Sequence, residues 1–504
     1  MLSRSLRLLE RVSVTKIHVQ APALRCISSA SNPHPLIQGF AGKLQQPKFA
    51  VSPDEIRILS KPTQFYSQLI DMIRRAQTRI FISSLYLGSG ESELVSALEE
   101  ALNKKPELQI YMLFDLNRST RPGPHSTAKL LAPLVSQFPE RVHVSFFRSP
   151  SLRGILAKLV PPRFNEGWGT WHAKIYGVDD EVMISGANLN NSYFTNRQDR
   201  YIHFTGQEHL SRYCLDFIKT VSGFSFKLQL PSAGGPIGPY SCRDREYALL
   251  WPIPETHPHH IHNTAESALS SLQNNYRRTT PEQRFDSQKV TMFPLIQAGQ
   301  FNIREEETTL AMLFEHLNAE SKSNGKGTRP PVLDLTSGYF GLYKEYQNLI
   351  LRSSNIDCRI VAASPRANGF YGSRGVSGRI PEGYTLLEQR FMSAVQRAGR
   401  QSGVQLYEWE REGWTYHAKG IWLSESPAHP PLLTLFGSTN LNSRSAHIDT
   451  ELSFLMLVPE SSSVSDSLRD ELNNLRAHSR PWMGAWRRVR CGTKVLVGLV
   501  GGML

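Results

Sequence analysis

The fold of this chain is decided by one stretch that occurs twice, as Glu166-Gly167-Trp168-Gly169-Thr170-Trp171-His172-Ala173-Lys174 and as Glu412-Gly413-Trp414-Thr415-Tyr416-His417-Ala418-Lys419. Each copy leads to a small-residue turn that ends in an asparagine, Asn188 in the first copy and Asn440 in the second. A carboxylate stands eleven residues after each asparagine, at Asp199 and Glu451. One His-x-Lys is a weak signal, but two copies in matching contexts indicate a duplicated unit that builds one site.

The residue types in these copies predict chemistry at phosphorus. Alternation along a strand puts the histidine and the lysine of each copy on one face. One imidazole can attack phosphorus while the other protonates the leaving oxygen, and lysines and asparagines can hold the oxygens where negative charge develops. We expect each carboxylate to accept a hydrogen bond from a histidine Nδ1, which leaves Nε2 facing the substrate. The predicted catalytic set is therefore His172, Lys174, Asn188, Asp199, His417, Lys419, Asn440 and Glu451.

Length and charge narrow the class of protein. A chain of 504 residues is expected to hold about two domains. The net charge of +13 favours anionic partners, which include phosphate groups, nucleic acid and acidic membrane surfaces. The five cysteines show no paired spacing, so the sequence indicates neither a disulfide framework nor a zinc site. No metal-ligand spacing occurs near either His-x-Lys.

The two ends of the chain have the composition of address and anchor segments. The first thirty residues carry five basic residues and a single acid, Glu10, which is typical of a mitochondrial targeting peptide or, alternatively, of a basic disordered leader. The tail around Trp482 and Trp486 combines tryptophans with cations, so it is either an interfacial membrane anchor or a frayed end. Residues 151–163 are apolar with flanking cations and fit the headgroup layer and a core helix equally well. No run of about eighteen apolar residues occurs, so we expect any membrane contact to be peripheral.

The order of elements predicts an α/β fold made twice. In both halves a strand, a helix and a second strand follow one another, which favours parallel pairing with helices outside the sheet. The predicted divisions are a targeting peptide (1–28), a first lobe (50–230), an inter-lobe connection (231–300), a second lobe (301–460) and a basic tail (461–504).

Three further segments are candidate binding sites. Gly88-Ser89-Gly90 lies between a strand and a helix, where backbone N–H groups can hold a phosphate, although such a run is often only a tight turn. The loop from Ser364 to Gly378 contains Arg366, Arg374 and four glycines, and is either an anion cradle or a mobile surface loop. The His257–His262 cluster suggests a metal site, but without a carboxylate or cysteine partner it fits a solvated loop better.

The paired His-x-Lys pattern resembles the phospholipase D superfamily from about residue 50 to residue 460. Within it, the segments Gly186-Ala187-Asn188-Leu189 and Gly413-Trp414-Thr415-Tyr416-His417-Ala418-Lys419-Gly420 look like those of the mitochondrial phosphatidylglycerophosphate synthases. The resemblance implies two similar lobes, each a mostly parallel mixed sheet flanked by helices, related by a pseudo-twofold axis around one shared site. It also implies transfer of a phosphatidyl group from CDP-diacylglycerol to glycerol 3-phosphate through a phosphatidyl-histidine, on the matrix-facing side of the mitochondrial inner membrane.

The resemblance adds Asp179 to the catalytic set and exposes one departure. The second copy has Ser424 where the family pattern has an aspartate, so that aspartate is dispensable there or Glu425 replaces it. The complete first motif favours His172 as nucleophile and His417 as acid, with the reverse assignment left open. Arg197, Arg200 and Arg444 are candidates for steering the acceptor, or for structural pairing with Asp199 or Asp449.

Two other functions remain alternatives. A hydrolase of the same superfamily would cleave a lipid or nucleic-acid phosphodiester, since water can attack the same covalent intermediate. An inactive scaffold would bind anionic lipid or nucleic acid, but two intact His-Lys pairs argue against it. Nucleic acid is not an expected partner, because no reading motif accompanies the charge. No cofactor is implied, the sequence leaves open whether a divalent cation assists, and an oligomer is not needed to assemble the site.

Overall fold

A computed structural model describes residues 33–123, 125–153, 160, 165–231, 238–279, 285–323, 329–460 and 462–500. The targeting peptide predicted over residues 1–28 lies outside these ranges, and so does most of the apolar segment 151–163. No helix in the described ranges combines the length and the apolar composition that a membrane crossing requires.

The strands of the described residues are short and distributed over the whole chain. In chain order they are β1 (Phe49–Val51), β2 (Ile56–Leu59), β3 (Arg79–Ser83), β4 (Gln109–Asp115), β5 (Val142–Phe147), β6 (Ile175–Val178), β7 (Glu181–Ser185), β8 (Arg197–Gln198), β9 (Tyr201–Phe204), β10 (Phe226–Gln229), β11 (Cys242–Arg243), β12 (Ala248–Leu250), β13 (Val290–Ala298), β14 (Ile303–Arg304), β15 (Val332–Ser337), β16 (Asp357–Ala363), β17 (Val404–Trp409), β18 (Thr415–Tyr416), β19 (Lys419–Ser424), β20 (Pro431–Gly437), β21 (Glu451–Leu457) and β22 (Ser479–Pro481).

The helices of the described residues lie between these strands. In chain order they are α1 (Pro35–Ala41), α2 (Pro62–Arg75), α3 (Ser92–Lys104), α4 (Leu116–Ser119), α5 (Thr127–Gln137), α6 (Asn191–Thr195), α7 (Glu208–Ser222), α8 (His262–Thr279), α9 (Glu305–Ser323), α10 (Lys344–Arg352), α11 (Ile380–Arg397), α12 (Ser443–His447), α13 (Ser463–Arg476) and α14 (Cys491–Val500).

The described strands form two large mixed sheets with the same internal order. One sheet runs β10-β5-β4-β3-β6-β7-β9-β2, and the other runs β22-β17-β16-β15-β19-β20-β21-β13. Further strands extend their edges, with β11 and β12 beyond β10, β1 beyond β13 and β14 paired to β13. The predicted fold class is therefore confirmed: the chain is an α/β protein with two similar lobes.

In each of the two large sheets, parallel pairing is restricted to two corresponding pairs of strands. The pairs β3/β4 and β4/β5 are parallel in the first lobe, and β15/β16 and β16/β17 are parallel in the second. The other pairings of these two sheets are antiparallel. The parallel share is smaller than the sequence analysis anticipated, because β6 and β7 are joined by a tight turn, and a short connection enforces antiparallel pairing.

Local sequence explains the central elements. Residues Ile80, Phe81 and Ile82 of β3 are all buried, as expected of a strand covered on both faces. Helix α2 starts at a proline and buries Phe65, Leu69 and Ile73 on one face, which places it against the sheet.

The sheets distribute the chain differently from the predicted divisions. Within the expected connection 231–300, β12 pairs in the first sheet and β13 in the second. Strand β1, expected in the first lobe, pairs with β13 in the second sheet. The physical reason is the run Val290–Ala298, whose nine residues are all buried and which therefore serves as an interior strand.

Two related backbone contacts join the lobes beside the repeated motifs. Strand β8 of the first half pairs in parallel with β18 of the second, matching Gln198 with Tyr416. A second parallel bridge matches Trp171 with Thr450. In each contact the residue before a motif histidine meets the residue before a predicted carboxylate, so the duplication places both motifs at the lobe interface.

Candidate active site

His172 is fixed by a carboxylate of the opposite lobe. Its backbone N–H donates to the carbonyl of Thr450 over 2.9 Å. Its Nδ1 lies 2.9 Å and 3.0 Å from the two carboxylate oxygens of Glu451. The imidazole is buried apart from one edge, with 8% of the residue exposed. Nδ1 is therefore occupied, and Nε2 is the nitrogen left to face a substrate.

His417 has the reciprocal arrangement. Its backbone N–H donates to the carbonyl of Gln198 over 2.8 Å, and its Nδ1 lies 2.6 Å from Oδ2 of Asp199. The sequence predicted that each carboxylate binds one histidine. The structure adds that each pair spans the interface, so neither lobe contains a complete pair by itself.

Neighbouring positive charge keeps both carboxylates ionised despite their burial. Burial raises the pKa of Glu451, but His172 and Lys174 outweigh it and lower that pKa to about 2. Ser438 Oγ and Ser445 Oγ also donate to this carboxylate, the latter over 2.6 Å. The pKa of Asp199 is likewise below its usual value, because Lys419 and His417 together outweigh burial.

The two lysines are buried beside the histidines. Lys174 Nζ donates to the carbonyl of His172 over 2.5 Å, and Lys419 Nζ donates to the carbonyl of His417 over 2.7 Å. Burial lowers the pKa of Lys174 to about 7 and also lowers the pKa of Lys419. Lys419 Nζ lies 3.4 Å from Asp199 Oδ2, which keeps positive charge at that end of the site.

Gly186 explains the small residue in the first asparagine turn. A Cβ at this position would lie 2.4 Å from Lys419 Nζ and 2.5 Å from Asp199 Oδ1. Any side chain would therefore displace the lysine or the carboxylate. The glycine is required by the closeness of the two lobes.

The two asparagines lie in buried turns after β7 and β20. Asn188 Nδ2 donates to the hydroxyl of Tyr193 over 3.1 Å. Asn440 is held by its backbone, with its N–H donating to Ser445 Oγ over 3.1 Å, and its side-chain Oδ1 is buried without a hydrogen-bond partner among the described residues. Asn188 therefore contacts a tyrosine that lies beside His417, and Asn440 contacts a serine that binds Glu451.

Burial favours the neutral form of both imidazoles. Burial lowers the pKa of His172, although Glu451 opposes this. Burial and the charge of Lys419 lower the pKa of His417 to about 3 despite Asp199. A nucleophilic histidine must be neutral and a proton-donating histidine must be protonated, and the free site does not provide that difference.

Tyr193 and Tyr339 are site residues that the sequence analysis missed. The Tyr193 hydroxyl lies 3.4 Å from His417 Nε2. The rings of Tyr193 and Tyr339 both approach His417 edge-on, at centroid distances of 5.1 Å and 5.3 Å. Tyr193 stands five residues after Asn188 and Tyr339 directly follows Gly338 in the second-lobe turn, but tyrosines at those places carry no signal in a single sequence.

Asp115 and Asp449 are buried acids that orient the first motif, and the sequence analysis did not select Asp115. Asp115 Oδ2 accepts from the backbone of Trp171 over 3.1 Å, and burial raises its pKa to about 8. Asp449 Oδ1 accepts from the backbone and the hydroxyl of Thr170, each over 2.9 Å. These contacts fix the two residues that precede His172.

Asp179 is not brought into the site, which corrects its predicted catalytic role. It lies beyond the far end of β6 with a left-handed φ of 49°. Its carboxylate accepts from the backbone N–H groups of Gln77, Thr78 and Arg79 and from the Thr78 hydroxyl, at 2.6 to 3.0 Å. Those bonds lower its pKa against the effect of burial. Asp179 therefore ties the β6–β7 turn to the start of β3.

In the second copy the corresponding position is Ser424. Ser424 ends β19 and is buried in the second sheet. Glu425 is half exposed and lies 3.8 Å from His34 Nε2 and 4.0 Å from His429 Nδ1. Glu425 does not substitute for an aspartate at the site.

The Gly88-Ser89-Gly90 turn does not form the predicted phosphate cradle. Gly88 N–H donates to the carbonyl of Leu189 over 2.7 Å, and its Cβ would lie 2.6 Å from Asn190 Nδ2. Glu91 directly follows this turn, and its carboxylate accepts from the backbone N–H of Asn191 over 2.7 Å. This turn instead holds the segment after Asn188, while Ser89 and Gly90 are exposed.

Most of the predicted arginines have structural partners. Arg200 binds Glu471 through two bonds of 2.9 Å and 2.8 Å and also binds Leu435 O and Thr434 Oγ1, so its predicted steering role is wrong. Arg444 pairs with Asp449 over 3.0 Å, the structural alternative given above.

Of the remaining three arginines, two are exposed and one lies against a ring beside His417. Arg366 is exposed, with Glu410 3.7 Å away, and Arg374 is also exposed. Arg197 alone among the five predicted arginines lies against a ring that contacts His417, with its Cζ 4.4 Å from the centre of Tyr193.

No group of three potential metal-ligating residues is close enough to hold an ion in the described ranges. In the His257–His262 cluster, His257 Nδ1 accepts from the backbone N–H of His259 over 3.1 Å. The histidine therefore caps a short 3₁₀ turn, as in the loop interpretation.

Comparison with known proteins agrees with this geometry. Residues 69–219 match the family model described as cardiolipin synthase, PLD-like domain. The chain is also similar over its length to a solved structure, phosphatidylserine synthase from Haemophilus influenzae, with a TM-score of 0.65, 19% sequence identity and coverage of 92% of this chain and 97% of that one. At this identity the likeness shows the shared fold.

Sequence relatives are closer. The mitochondrial CDP-diacylglycerol–glycerol-3-phosphate 3-phosphatidyltransferase of Mus musculus is 36% identical over 452 residues, which cover 86% of this chain and 79% of the relative. The enzyme of the same name from Saccharomyces pastorianus is 33% identical over 514 residues, which cover 94% of each chain. With the duplicated sheets and the paired histidines, these matches show that the chain belongs to the CDP-diacylglycerol–glycerol-3-phosphate 3-phosphatidyltransferase family, within the phospholipase D-like fold.

Proposed function

We propose that this chain makes phosphatidylglycerol phosphate and CMP from CDP-diacylglycerol and glycerol 3-phosphate. The observation that carries the proposal is the reciprocal pairing of His172 with Glu451 and of His417 with Asp199 across one interface. Two buried lysines beside these pairs supply the positive charge that a phosphoryl transition state needs. The names of the relatives supply the two substrates.

In the first step, His172 Nε2 attacks the phosphorus that bears the diacylglycerol. A P–N bond forms, the P–O bond to CMP breaks, and the electron pair leaves with the CMP oxygen, to which His417 gives a proton. His172 suits the nucleophilic role because its Nε2 has no hydrogen-bond partner among the described residues, whereas the Tyr193 hydroxyl lies against His417 Nε2.

In the second step, a hydroxyl of glycerol 3-phosphate attacks the phosphatidyl-histidine. His417 accepts the hydroxyl proton, the P–N bond breaks, and His172 is regenerated. Lys174, Lys419, Asn188 and Asn440 hold the non-bridging oxygens in both steps. Because His417 is neutral in the free site, the negative diphosphate must raise its pKa on binding to make it an acid.

The test is CMP release from CDP-diacylglycerol in mixed micelles, with and without glycerol 3-phosphate. The transferase predicts release that depends on the acceptor, together with phosphatidylglycerol phosphate in equal amount. Equal release without the acceptor would favour the hydrolase alternative. His172→Ala should abolish covalent labelling by a radioactive donor, and His429→Ala, an exposed histidine, is the matched control.

We propose a location on the matrix-facing side of the mitochondrial inner membrane. The basic composition of the first thirty residues and the mitochondrial relatives support the compartment. Fusing residues 1–32 to a fluorescent protein tests import. Protease protection of the full chain in mitochondria, before and after rupture of the inner membrane, tests the side.

We also propose that the enzyme contacts an anionic membrane through one face of the second lobe, here named the tail face. Trp486 is 85% exposed and Leu499 is 80% exposed. The tail is held to α11 because Gln389 Nε2 donates to the carbonyls of Gly484 and Arg487 over 2.8 Å and 2.9 Å. The tail face comprises the exposed apolar residues Tyr371, Val376, Met483, Trp486, Val495 and Leu499.

Charge favours an anionic surface for this face. Arg374 is exposed near Val376, and Arg488 and Lys494 lie in the tail. Each cation near an anionic leaflet contributes about 1 kcal/mol. A single chain contains the whole candidate site, so we expect a monomer to suffice.

Vesicle flotation with phosphatidylglycerol-containing liposomes tests the tail face. Trp486→Ser with Leu499→Ser should weaken partitioning at least about tenfold, since a buried apolar side chain contributes about 1.5–3 kcal/mol. Leu230→Ser with Tyr240→Ser changes two exposed apolar residues of the other lobe and is the matched control. Equal loss in both double variants would contradict the proposed face.

A further inference from the structure

In each of its two half-reactions, the proposed reaction brings two phosphate groups to the site. CDP-diacylglycerol carries the reacting phosphorus and the phosphate that leaves in CMP, and glycerol 3-phosphate carries its own phosphate beside the attacking hydroxyl. The two histidines, lysines and asparagines surround one phosphorus only. The second phosphate therefore needs positive charge elsewhere on the wall of the site.

Arg197 is placed to supply that charge. It lies on β8, two residues before Asp199, and its Nε donates to Thr415 Oγ1 across the lobe interface over 2.9 Å. Its guanidinium carbon is 4.4 Å from the centre of the Tyr193 ring. The hydroxyl of that tyrosine lies 3.4 Å from His417 Nε2. The Tyr193 side chain therefore contacts both the guanidinium and a reacting histidine.

The charge of Arg197 is not neutralised by the protein. No described carboxylate lies within ion-pair distance of it, in contrast to Arg200 with Glu471 and Arg444 with Asp449. The groups that raise its pKa against the effect of burial are tyrosines, chiefly Tyr193 and Tyr339. A largely buried cation without a counter-ion is costly, so a ligand anion would stabilise it.

Tyr339 and Gly369 complete one side of this space. A Cβ added to Gly369 would lie 3.1 Å from an Nη of Arg197 and 3.2 Å from the Tyr339 hydroxyl. The guanidinium and the hydroxyl thus converge on a point that the absence of a side chain leaves open. Both are hydrogen-bond donors to phosphate oxygens.

We propose that Arg197 and Tyr339 form a subsite for the phosphate that does not react. The subsite rests on the proposed transferase function and extends it to the recognition of the second phosphate. The ligand chemistry is a phosphate group, and it comes either from glycerol 3-phosphate or from the CMP portion of CDP-diacylglycerol.

Two assays distinguish the two sources. One measures kcat and KM for glycerol 3-phosphate. The other measures exchange of labelled CMP into CDP-diacylglycerol without acceptor, which requires only the first half-reaction. Arg197→Gln should weaken at least one phosphate-bearing substrate about tenfold or more, the effect expected for loss of a charge-assisted hydrogen bond. A raised KM for the acceptor identifies its phosphate, and a loss of exchange identifies the phosphate of CMP.

A steric variant tests the same space without removing charge. Gly369→Ala should reproduce the substrate defect of Arg197→Gln, and Gly90→Ala is the matched control because its Cβ would meet nothing within 4 Å. Arg366→Gln, which removes an exposed arginine, is the charge control. The subsite is overturned if folded Arg197→Gln keeps both normal acceptor KM and normal exchange. A wild-type enzyme that shows neither exchange nor product would instead overturn the proposed function.

Discussion

The histidines of this site are buried and held by acids of the opposite lobe. Glu451 contacts His172 through both carboxylate oxygens, and Ser438 and Ser445 orient the carboxylate. This network fixes the imidazole tautomer and leaves Nε2 for phosphorus. The acid therefore acts on the reaction through the histidine, as a positioning group.

We expect Glu451→Gln to lower kcat by about a hundredfold or more, the scale of general acid–base contributions. The amide keeps the shape but can no longer stabilise a charged imidazole. Single-turnover CMP release measures the effect on the first step. Because a merely structural role would not shift ionisation, the pH profile of the residual rate should also move, and an unmoved profile would count against the positioning role.

Asp179→Asn should lower stability and leave turnover nearly unchanged, in contrast to Glu451→Gln. The substitution removes charge from an acceptor of several backbone hydrogen bonds, so it should lower the free energy of unfolding by about 1–3 kcal/mol. Turnover per folded molecule should stay near the wild-type value, because Asp179 lies beyond the far end of β6. Urea denaturation and CMP release measure the two quantities. A large loss of kcat at unchanged stability would indicate that Asp179 takes part in catalysis.

At the level of elements, the lobes are joined by short strands and by a buried arginine–glutamate pair. Strand β8 reaches β18, and Arg200, three residues after Arg197, binds Glu471 of helix α13. Arg200 also lies 3.8 Å over the ring of Trp422. A glycine is required at Gly420, whose Cβ would lie 2.4 Å from Arg200 Nη1 and whose φ is +133°.

Removing this arginine should uncouple the lobes. Arg200→Met leaves Glu471 buried without its partner, which costs about 3–5 kcal/mol. Arg212→Met removes an exposed arginine that pairs with Glu208 within α7, and should cost less than about 1 kcal/mol. Chemical denaturation followed by tryptophan fluorescence compares the two variants. Similar small losses would show that the Arg200 pair does not stabilise the interface.

For the molecule as a whole, the interface concentrates groups whose ionisation changes on unfolding. The pKa values of both His172 and His417 are lowered in the folded chain, chiefly by burial. Buried acids such as Asp115 and Glu306 shift the other way, with pKa values raised to about 8 and about 7, chiefly by burial. The pH dependence of total stability therefore combines opposing contributions, and single groups are best isolated by comparing variants.

The contribution of His417 should be lost in acid. Its pKa lies below the ordinary value of 6.5 in the folded state, so the unfolded chain binds the proton first as pH falls. The stability difference between wild type and His417→Gln should shift progressively against wild type as the pH falls from about 7 toward the folded-state pKa of about 3. His429→Gln, at an exposed site, controls for loss of a histidine. A pH-independent difference would show that His417 is protonated alike in both states.

The sequence by itself determined the duplication and the fold class, and it predicted the two histidines together with six residues around them. It could do so because a repeated motif preserves residue types and spacing, and strand alternation turns spacing into a shared face. The same reasoning assigned Asp179 to the site, since spacing along the chain does not show where a turn directs its side chain.

Only the tertiary structure decided which carboxylate serves which histidine, and which arginine keeps an unpaired charge. Asp199 and Arg200 are neighbours in sequence, yet one binds His417 and the other binds Glu471. These partners come from the opposite half of the chain, hundreds of residues away. Their choice depends on how two sheets pack against each other, and that packing is a long-range property which no local pattern encodes.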